Sequence, residues 1–193
     1  YQVQVKLHCG GRITDEAKMQ FGMRSFTQDN EGKLCEMKGM FFLNGRSIRL
    51  RGANTMGFEQ QDVLRGDLPQ LIDDILLAKI CNMNFLRLTQ RPVQDEVYEY
   101  CDKLGLMTQT DLPLFGVMRR FRVPEGIRQA EELARMVRKH PCNVVVSYIN
   151  EPFPNANNEP HRHLIRPELE NFFACCDPVS YTHLRAHETL ANL

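Results

Sequence analysis

What most limits the fold of this chain is an alternation. Residues 48–52, 85–88, 106–110 and the stretch from Val144 are short and apolar enough to be strands, and between them lie three longer segments of helical periodicity, 68–82, 95–104 and 124–140. In the first of these, Leu71, Ile72, Ile75, Leu76 and Lys79 recur at helical spacing behind Asp73 and Asp74. The second is closed by Gly105, the residue type that most readily turns left-handed past a helix end. In the third, Ile127, Ala130, Leu133, Ala134 and Val137 make the apolar stripe. Strand and helix repeated in this order specify an α/β fold with a parallel sheet, because parallel neighbours need a crossover that a helix fills. Four such strands are half of an eight-stranded (β/α)8 TIM barrel, whose full circuit takes about 250 residues.

The opening residues read differently. Residues 1–7 alternate polar and apolar side chains and run into Gly10-Gly11, a turn signal; 17–26 and 38–43 look like antiparallel strands interrupted at 29–32; and Asn44-Gly45 is a strong two-residue hairpin signal. An all-β segment, 1–42, is therefore expected before the half barrel, 43–178. The 193 residues carry 24 Lys plus Arg against 24 Asp plus Glu, mixed along the chain, which points away from nucleic acid and from anionic membrane surfaces and toward a neutral or small partner. Nothing approaches the roughly 18 to 20 apolar residues needed to cross a bilayer. The chain begins at Tyr1 rather than Met, so its natural start is expected to lie further upstream. Seven cysteines, Cys9, Cys35, Cys81, Cys101, Cys142, Cys175 and Cys176, lack the paired spacing of a zinc site. They are expected to be reduced and mostly buried, which favours a reducing compartment such as the cytoplasm.

The chemistry is expected at the last strand. Val144-Val145-Val146-Ser147-Tyr148-Ile149 is an uncharged run typical of a strand covered on both faces, and it ends in Asn150, Glu151 and Pro152. In parallel barrels the carboxyl ends of the strands form the catalytic face. A carboxyl group held there against apolar walls has its pKa raised and can donate a proton near neutral pH. The plain alternative for Glu151 is an ordinary loop carboxylate after a core strand.

Several motifs then agree in order and spacing. Asn84-Phe85-Leu86-Arg87 through Pro92, with Val97-Tyr98, Asp102 and Gly105-Leu106, resembles one signature of glycoside hydrolase family 2. Arg138-Lys139-His140-Pro141 through Ser147-Tyr148-Ile149-Asn150-Glu151 is similar to the second. Leu43-Asn44-Gly45-Arg46 with Leu50-Arg51-Gly52-Ala53-Asn54 is similar to the family's entry from an immunoglobulin-like sandwich into its barrel, and Asp15 with Phe21-Gly22-Met23-Arg24 to the last strands of that sandwich.

The resemblance implies the last strands of an immunoglobulin-like β-sandwich followed by the first half of the TIM barrel. It implies a retaining enzyme that hydrolyses β-linked sugars at their non-reducing ends, of β-galactosidase, β-mannosidase or β-glucuronidase type. Glu151 would be the acid/base, Asn150 would bind the sugar 2-hydroxyl, and Arg87 would hold the nucleophile as its anion; a structural ion pair is the alternative for Arg87. Asn54 and Asp111, at strand ends on the same face, are candidate substrate contacts, with turn capping as their alternative. No metal and no cofactor are implied. The partner would be an oligosaccharide or glycoside, with a homo-oligomer possible for the complete enzyme.

The nucleophile belongs on the seventh strand, which this chain does not reach, so the fragment alone is expected to be inactive. Where many members carry His-Tyr before the proline of the first signature, this sequence has Gln90-Arg91-Pro92. Where galactosidases and glucuronidases usually have a histidine after the Arg-Gly-x-Asn turn, it has Thr55-Met56; Ala53-Asn54 and Gln109-Thr110-Asp111 lean toward the β-mannosidase branch. The rival from another class is a non-catalytic carbohydrate-binding protein on the same scaffold.

Among the weaker features, His161 and His163 have a spacing that could bind metal but lack a carboxylate or cysteine at helical spacing. Arg119, Arg120 and Arg122 read as a solvated loop face, and His140 as a cation at a helix C-terminus. Residues 179–193 resemble translated sequencing adapter and are expected to be a non-native tail, which makes the His183, His187 and Glu188 spacing accidental.

Overall fold

The computed structural model describes residues 1–34, 38–115, 120–148 and 150. Its first element is a hairpin of β1 (Gln2–Cys9) and β2 (Arg12–Gln20), which turns at Gly10 and Gly11 with φ of 57° and 77°. Glycine takes such angles without steric penalty. Val3, Val5 and Leu7 share one face of the hairpin and are exposed. The expected strand over 17–26 is broken, because the chain leaves β2 to dock on the loop before the last strand. There the Gly22 N–H donates to the Lys139 carbonyl at 3.2 Å and the Arg24 Nε to the Pro141 carbonyl at 3.1 Å. A Cβ at Gly22 would lie 2.4 Å from the Pro141 ring, so only glycine fits this approach.

A second antiparallel sheet follows, in the order β3 (Phe26–Asp29), β4 (Met40–Leu43), β5 (Arg46–Ile48). Asn44 and Gly45 join β4 to β5 with φ of 50° and 77°, both positive as the twist-matched two-residue hairpin demands. The expectation that residues 48–52 form the first barrel strand is therefore wrong. Ile48 pairs antiparallel with Phe41, and the first parallel strand is β6 (Gly52–Thr55). Gly-Ala-Asn-Thr has almost no apolar side chain to betray a strand. Its pairing is instead allowed by Gly52, where a Cβ would sit 1.8 Å from the Phe85 carbonyl oxygen.

From β6 onward the chain is the expected alternation. The helices are α1 (Phe58–Arg65), α2 (Leu68–Ile80), α3 (Asp95–Leu104) and α4 (Val123–Val137); the strands are β7 (Phe85–Leu88), β8 (Met107–Asp111) and β9 (Asn143–Ser147). The four strands pair in parallel in the order β6-β7-β8-β9. Helix α2 starts at Asp67, whose side chain accepts from the Gln70 N–H, and α3 stops at Gly105 with φ of 69°. Helix α1 was not expected. Its buried residues are Glu59, Gln60 and Asp62, so it has no apolar stripe for periodicity to detect.

The helices cover one face of the parallel sheet. Leu71 and Ile75 of α2, Val97 and Tyr98 of α3 and Leu133 of α4 pack with Leu86, Leu88 and Val146. On the other face Phe26 of β3 packs with Met107, Val144 and Val145. Between β8 and β9 the register slips: Thr108 faces Asn143 but Gln109 faces Val145, leaving Val144 as an extra residue. The Asn143 Oδ1 that this turns toward the helices accepts from Thr110 Oγ1 at 2.7 Å, and Thr110 in turn lies 2.9 Å from the Tyr98 hydroxyl.

Two smaller expectations need correction. His140 does not cap a helix, since α4 ends at Val137; it is 1% exposed, stacks on Tyr98 and places Nδ1 2.8 Å from Asp102 Oδ2. Its imidazole is positioned by packing, which sequence spacing does not reveal. Of the described cysteines, Cys101 and Cys142 are buried but Cys9 and Cys81 are exposed, and all four are free thiols. Burial pushes the Cys101 thiol up to about 12 and raises Cys142 as well, which keeps both protonated and inert. Among the described residues, no helix is long and apolar enough to cross a membrane, and no group of three His, Cys, Asp or Glu could hold a metal ion.

Candidate active site

The candidate residues reach one place because strands alternate their side chains. In β7, Leu86 and Leu88 point into the helix layer, so Arg87 between them points to the opposite face. In β8, Thr110 bonds to Tyr98 on the helix side, which leaves Gln109 and Asp111 on the face of Arg87. Parallel pairing sets Asn54, Arg87 and Gln109 at one level across three strands. Asn150 arrives from beyond β9, where its N–H donates to the Leu114 carbonyl at 2.8 Å and it bridges in parallel to Phe115. That contact extends the β8–β9 pairing past the ends of the strands.

Arg87 is the hub. Its Nε and Nη2 donate to Asp111 Oδ2 at 3.0 and 2.6 Å, and the same Nη2 donates to Asn150 Oδ1 at 2.6 Å. The Asp111 side chain has no exposed surface, whereas the Arg87 side chain keeps 23% of its own. Asp111 also accepts from the Gln90 N–H at 3.1 Å and from Gln109 Nε2 at 3.0 Å, so its oxygens are engaged on several sides. Gln90 makes its bond from a left-handed backbone with φ of 65°, an unfavourable state for a residue with a side chain and one found preferentially at functional sites. A planar guanidinium clamped by a buried carboxylate and still partly open is suited to holding a second anionic or polar oxygen at a fixed angle.

Of the expected residues, Arg87, Asp111 and Asn150 are brought together. Asn54 is exposed on the adjacent strand, level with Arg87, and its side chain bonds to no other described residue. Glu151 lies outside the described residues, as do Arg119, His161, His163 and 179–193. Arg122 lies with its guanidinium carbon 5.6 Å from the centre of the Phe121 ring, beside the loop.

Sequence reasoning missed Gln90, Gln109, Thr55 and Glu59. Gln109 could have been found, since it lies two residues before Asp111 on the same face of one strand. Gln90 stands out in the sequence only as a departure from the first signature, and nothing in the chain announces its left-handed backbone. Thr55 ends β6 with its hydroxyl 2.9 Å from Glu59 Oε1 and 3.3 Å from the Arg87 carbonyl oxygen. Glu59 is 3% exposed, and burial raises its pKa above the usual carboxylate range.

Four parallel strands with helices on one face, and polar side chains gathered where the strands end, make a TIM-barrel-like α/β fold. The model for the TIM barrel domain of the family 2 glycosyl hydrolases matches residues 36–168. The chain belongs to glycoside hydrolase family 2. Over 160 residues it is 29% identical to the β-glucuronidase of Mus musculus, covering 79% of this chain and 23% of that protein. It therefore spans less than a quarter of the length of the curated relatives it matches. A β-glucuronidase structure from Bacteroides uniformis superposes with a TM-score of 0.73 at 22% identity, covering 95% of this chain and 23% of the other. One from Parabacteroides merdae gives 0.72 at 18%, with 95% and 23% covered.

Proposed function

We propose that this chain carries the acid/base half of a retaining β-glycosidase. Glu151 gives its proton to the glycosidic oxygen while a second carboxylate, supplied by a part of the enzyme beyond this chain, attacks the anomeric carbon to form a glycosyl ester. Glu151, now ionised, takes a proton from water, and that water cleaves the ester with net retention. The two carboxyl groups of such a pair stand about 5 to 5.5 Å apart. Asn150 binds the 2-hydroxyl of the sugar, Asn54 is a further sugar contact, and Arg87 keeps the nucleophile ionised. Asp111 serves this site by holding Arg87, because its oxygens are engaged and its surface is closed. Residues 1–42 are read as the end of a preceding sandwich domain and 179–193 as a non-native tail.

The observation that supports this reading is the fork of Arg87 joined at once to Asp111 and to Asn150, the residue directly before Glu151. The relatives' names put an aryl β-glucuronide first among substrates to try, ahead of a β-galactoside and a β-mannoside. The isolated chain should hydrolyse none of them. In an enzyme of the relatives' length, Glu151→Gln should lower kcat by about 10²- to 10⁴-fold, as expected for removing a general acid. Turnover by the isolated chain above a Glu151→Gln control would refute the missing-carboxylate argument, and an enzyme indifferent to Glu151→Gln would refute the assignment. Unchanged sugar affinity with no turnover in the long form would favour a non-catalytic binding protein.

A further inference from the structure

Beneath Arg87 lies a hydrogen-bond chain with one hydrogen too few. The Thr55 hydroxyl has a single hydrogen and two acceptors in reach, Glu59 Oε1 at 2.9 Å and the Arg87 carbonyl oxygen at 3.3 Å. If Glu59 is ionised, Thr55 is drawn to the carboxylate and, of its two side-chain donors, the Arg87 carbonyl keeps only the longer contact, from Thr89 Oγ1 at 3.4 Å. If Glu59 carries a proton, the acid donates to Thr55 Oγ1, Thr55 donates to Arg87, and both contacts are hydrogen bonds at once. The second oxygen, Glu59 Oε2, is buried without a hydrogen-bond partner among the described residues, a situation more costly for a carboxylate than for an acid.

We propose that Glu59 is a positioning residue for Arg87, acting in its neutral acid form through Thr55, and that its ionisation loosens the Arg87 backbone. The inference rests on the assignment of Arg87 to the active site only for its functional meaning; the hydrogen-bond chain stands without it. The groups facing Glu59 pull in both directions. Burial works against the charge and outweighs the rest, and Asp62 on the same helix adds to that, while the Glu59 backbone N–H, the Thr55 hydroxyl and Arg91 beyond β7 oppose it. Cys101 of α3, a further titratable neighbour, is held as a neutral thiol. The net effect places the ionisation of Glu59 above that of an ordinary glutamate.

The test uses the 193-residue chain and needs no turnover. The Arg87 Nε–H resonance is followed by ¹⁵N NMR as pH is raised from mildly acidic to mildly alkaline, alongside the carboxyl carbon of Glu59. The two should titrate together with a midpoint above the ordinary carboxylate range. Glu59→Gln, whose amide can donate to Thr55 as the acid does, should hold the Arg87 resonance at its low-pH position throughout. Thr55→Ser should keep the titration and Thr55→Val should abolish it. An Arg87 resonance that ignores Glu59 ionisation, or that still moves in Glu59→Gln, overturns the proposal. These outcomes are independent of hydrolysis: a catalytically unimportant Arg87 would still titrate if the chain exists, and an essential Arg87 would not if it does not.

Discussion

Replacing Asp111 by alanine is the sharpest test of the site's construction. The mutation removes the acceptor of Arg87 Nε and Nη2, of the Gln90 N–H and of Gln109 Nε2, at a side chain with no exposed surface. Breaking one side of a buried ion pair costs about 3 to 5 kcal/mol, mostly because the surviving charge is left without a partner. Arg87 retains 23% of its side-chain surface, so water reaches part of its guanidinium and the expected loss is the lower figure, about 3 kcal/mol. At about 2 to 4 °C per kcal/mol for a domain of this size, Tm should fall by about 6 to 12 °C. Urea unfolding of Asp111→Ala, Arg87→Met and the double variant then isolates the pair, and a coupling of about 1.5 to 2 kcal/mol is expected. A loss below about 1 kcal/mol for Asp111→Ala, additive with Arg87→Met, would show that the clamp is not what holds the strand ends together.

Other substitutions test neighbouring links of the argument. Gly52→Ala should cost about 2 to 3 kcal/mol in urea unfolding and weaken amide protection in β6, because a Cβ there meets the Phe85 carbonyl oxygen at 1.8 Å. Leu71→Ala, at a fully buried position of α2, should cost about 3 to 4 kcal/mol, whereas Leu77→Ala on the exposed face should fall within about 0.5 kcal/mol of the parent. Glu59 makes stability depend on pH with a definite sign. Its folded pKa is raised, so the folded chain holds the proton longer than the unfolded one, and stability should decline as pH rises from the ordinary glutamate range through the folded pKa. Denaturation midpoints across that range should show the decline in the parent and a smaller one in Glu59→Gln, where the buried Asp62, raised by burial too, still contributes.

Sequence reasoning succeeded where local physics and the final fold agree. Helices α2 and α4 announce themselves through apolar residues at helical spacing, and α3 through Gly105 at its end. It failed where burial is polar or where backbones meet. Helix α1 buries Glu59, Gln60 and Asp62, and β6 is admitted by the absence of a side chain at Gly52 rather than by the presence of apolar ones. Within the site, Arg87 stands out in the sequence through the family signature, and the structure turns it away from the helices because Leu86 and Leu88 flank it. Its bonds to Asp111 and Asn150 join residues 24 and 63 positions away, and no periodicity in the chain reports contacts of that kind.

The additional residue at Val144 acts on the rest of β9 as a phase shift. Every side chain after it is exchanged between the helix layer and the opposite face relative to an unbulged partner of β8, so that Ser147 rather than Val146 stands level with Asp111. Pairing Val144 directly with Gln109, with no residue left over, would reverse that exchange. It would turn valine toward the polar cluster, put a hydroxyl into the helix packing, and move the backbone that now carries Asn150 out of step with Leu114. The position of the residues beyond β9 is thus a counting problem as much as a chemical one, and chains of this fold should tolerate substitution at Val145 and Val146 far better than the gain or loss of a residue between Val145 and Ser147.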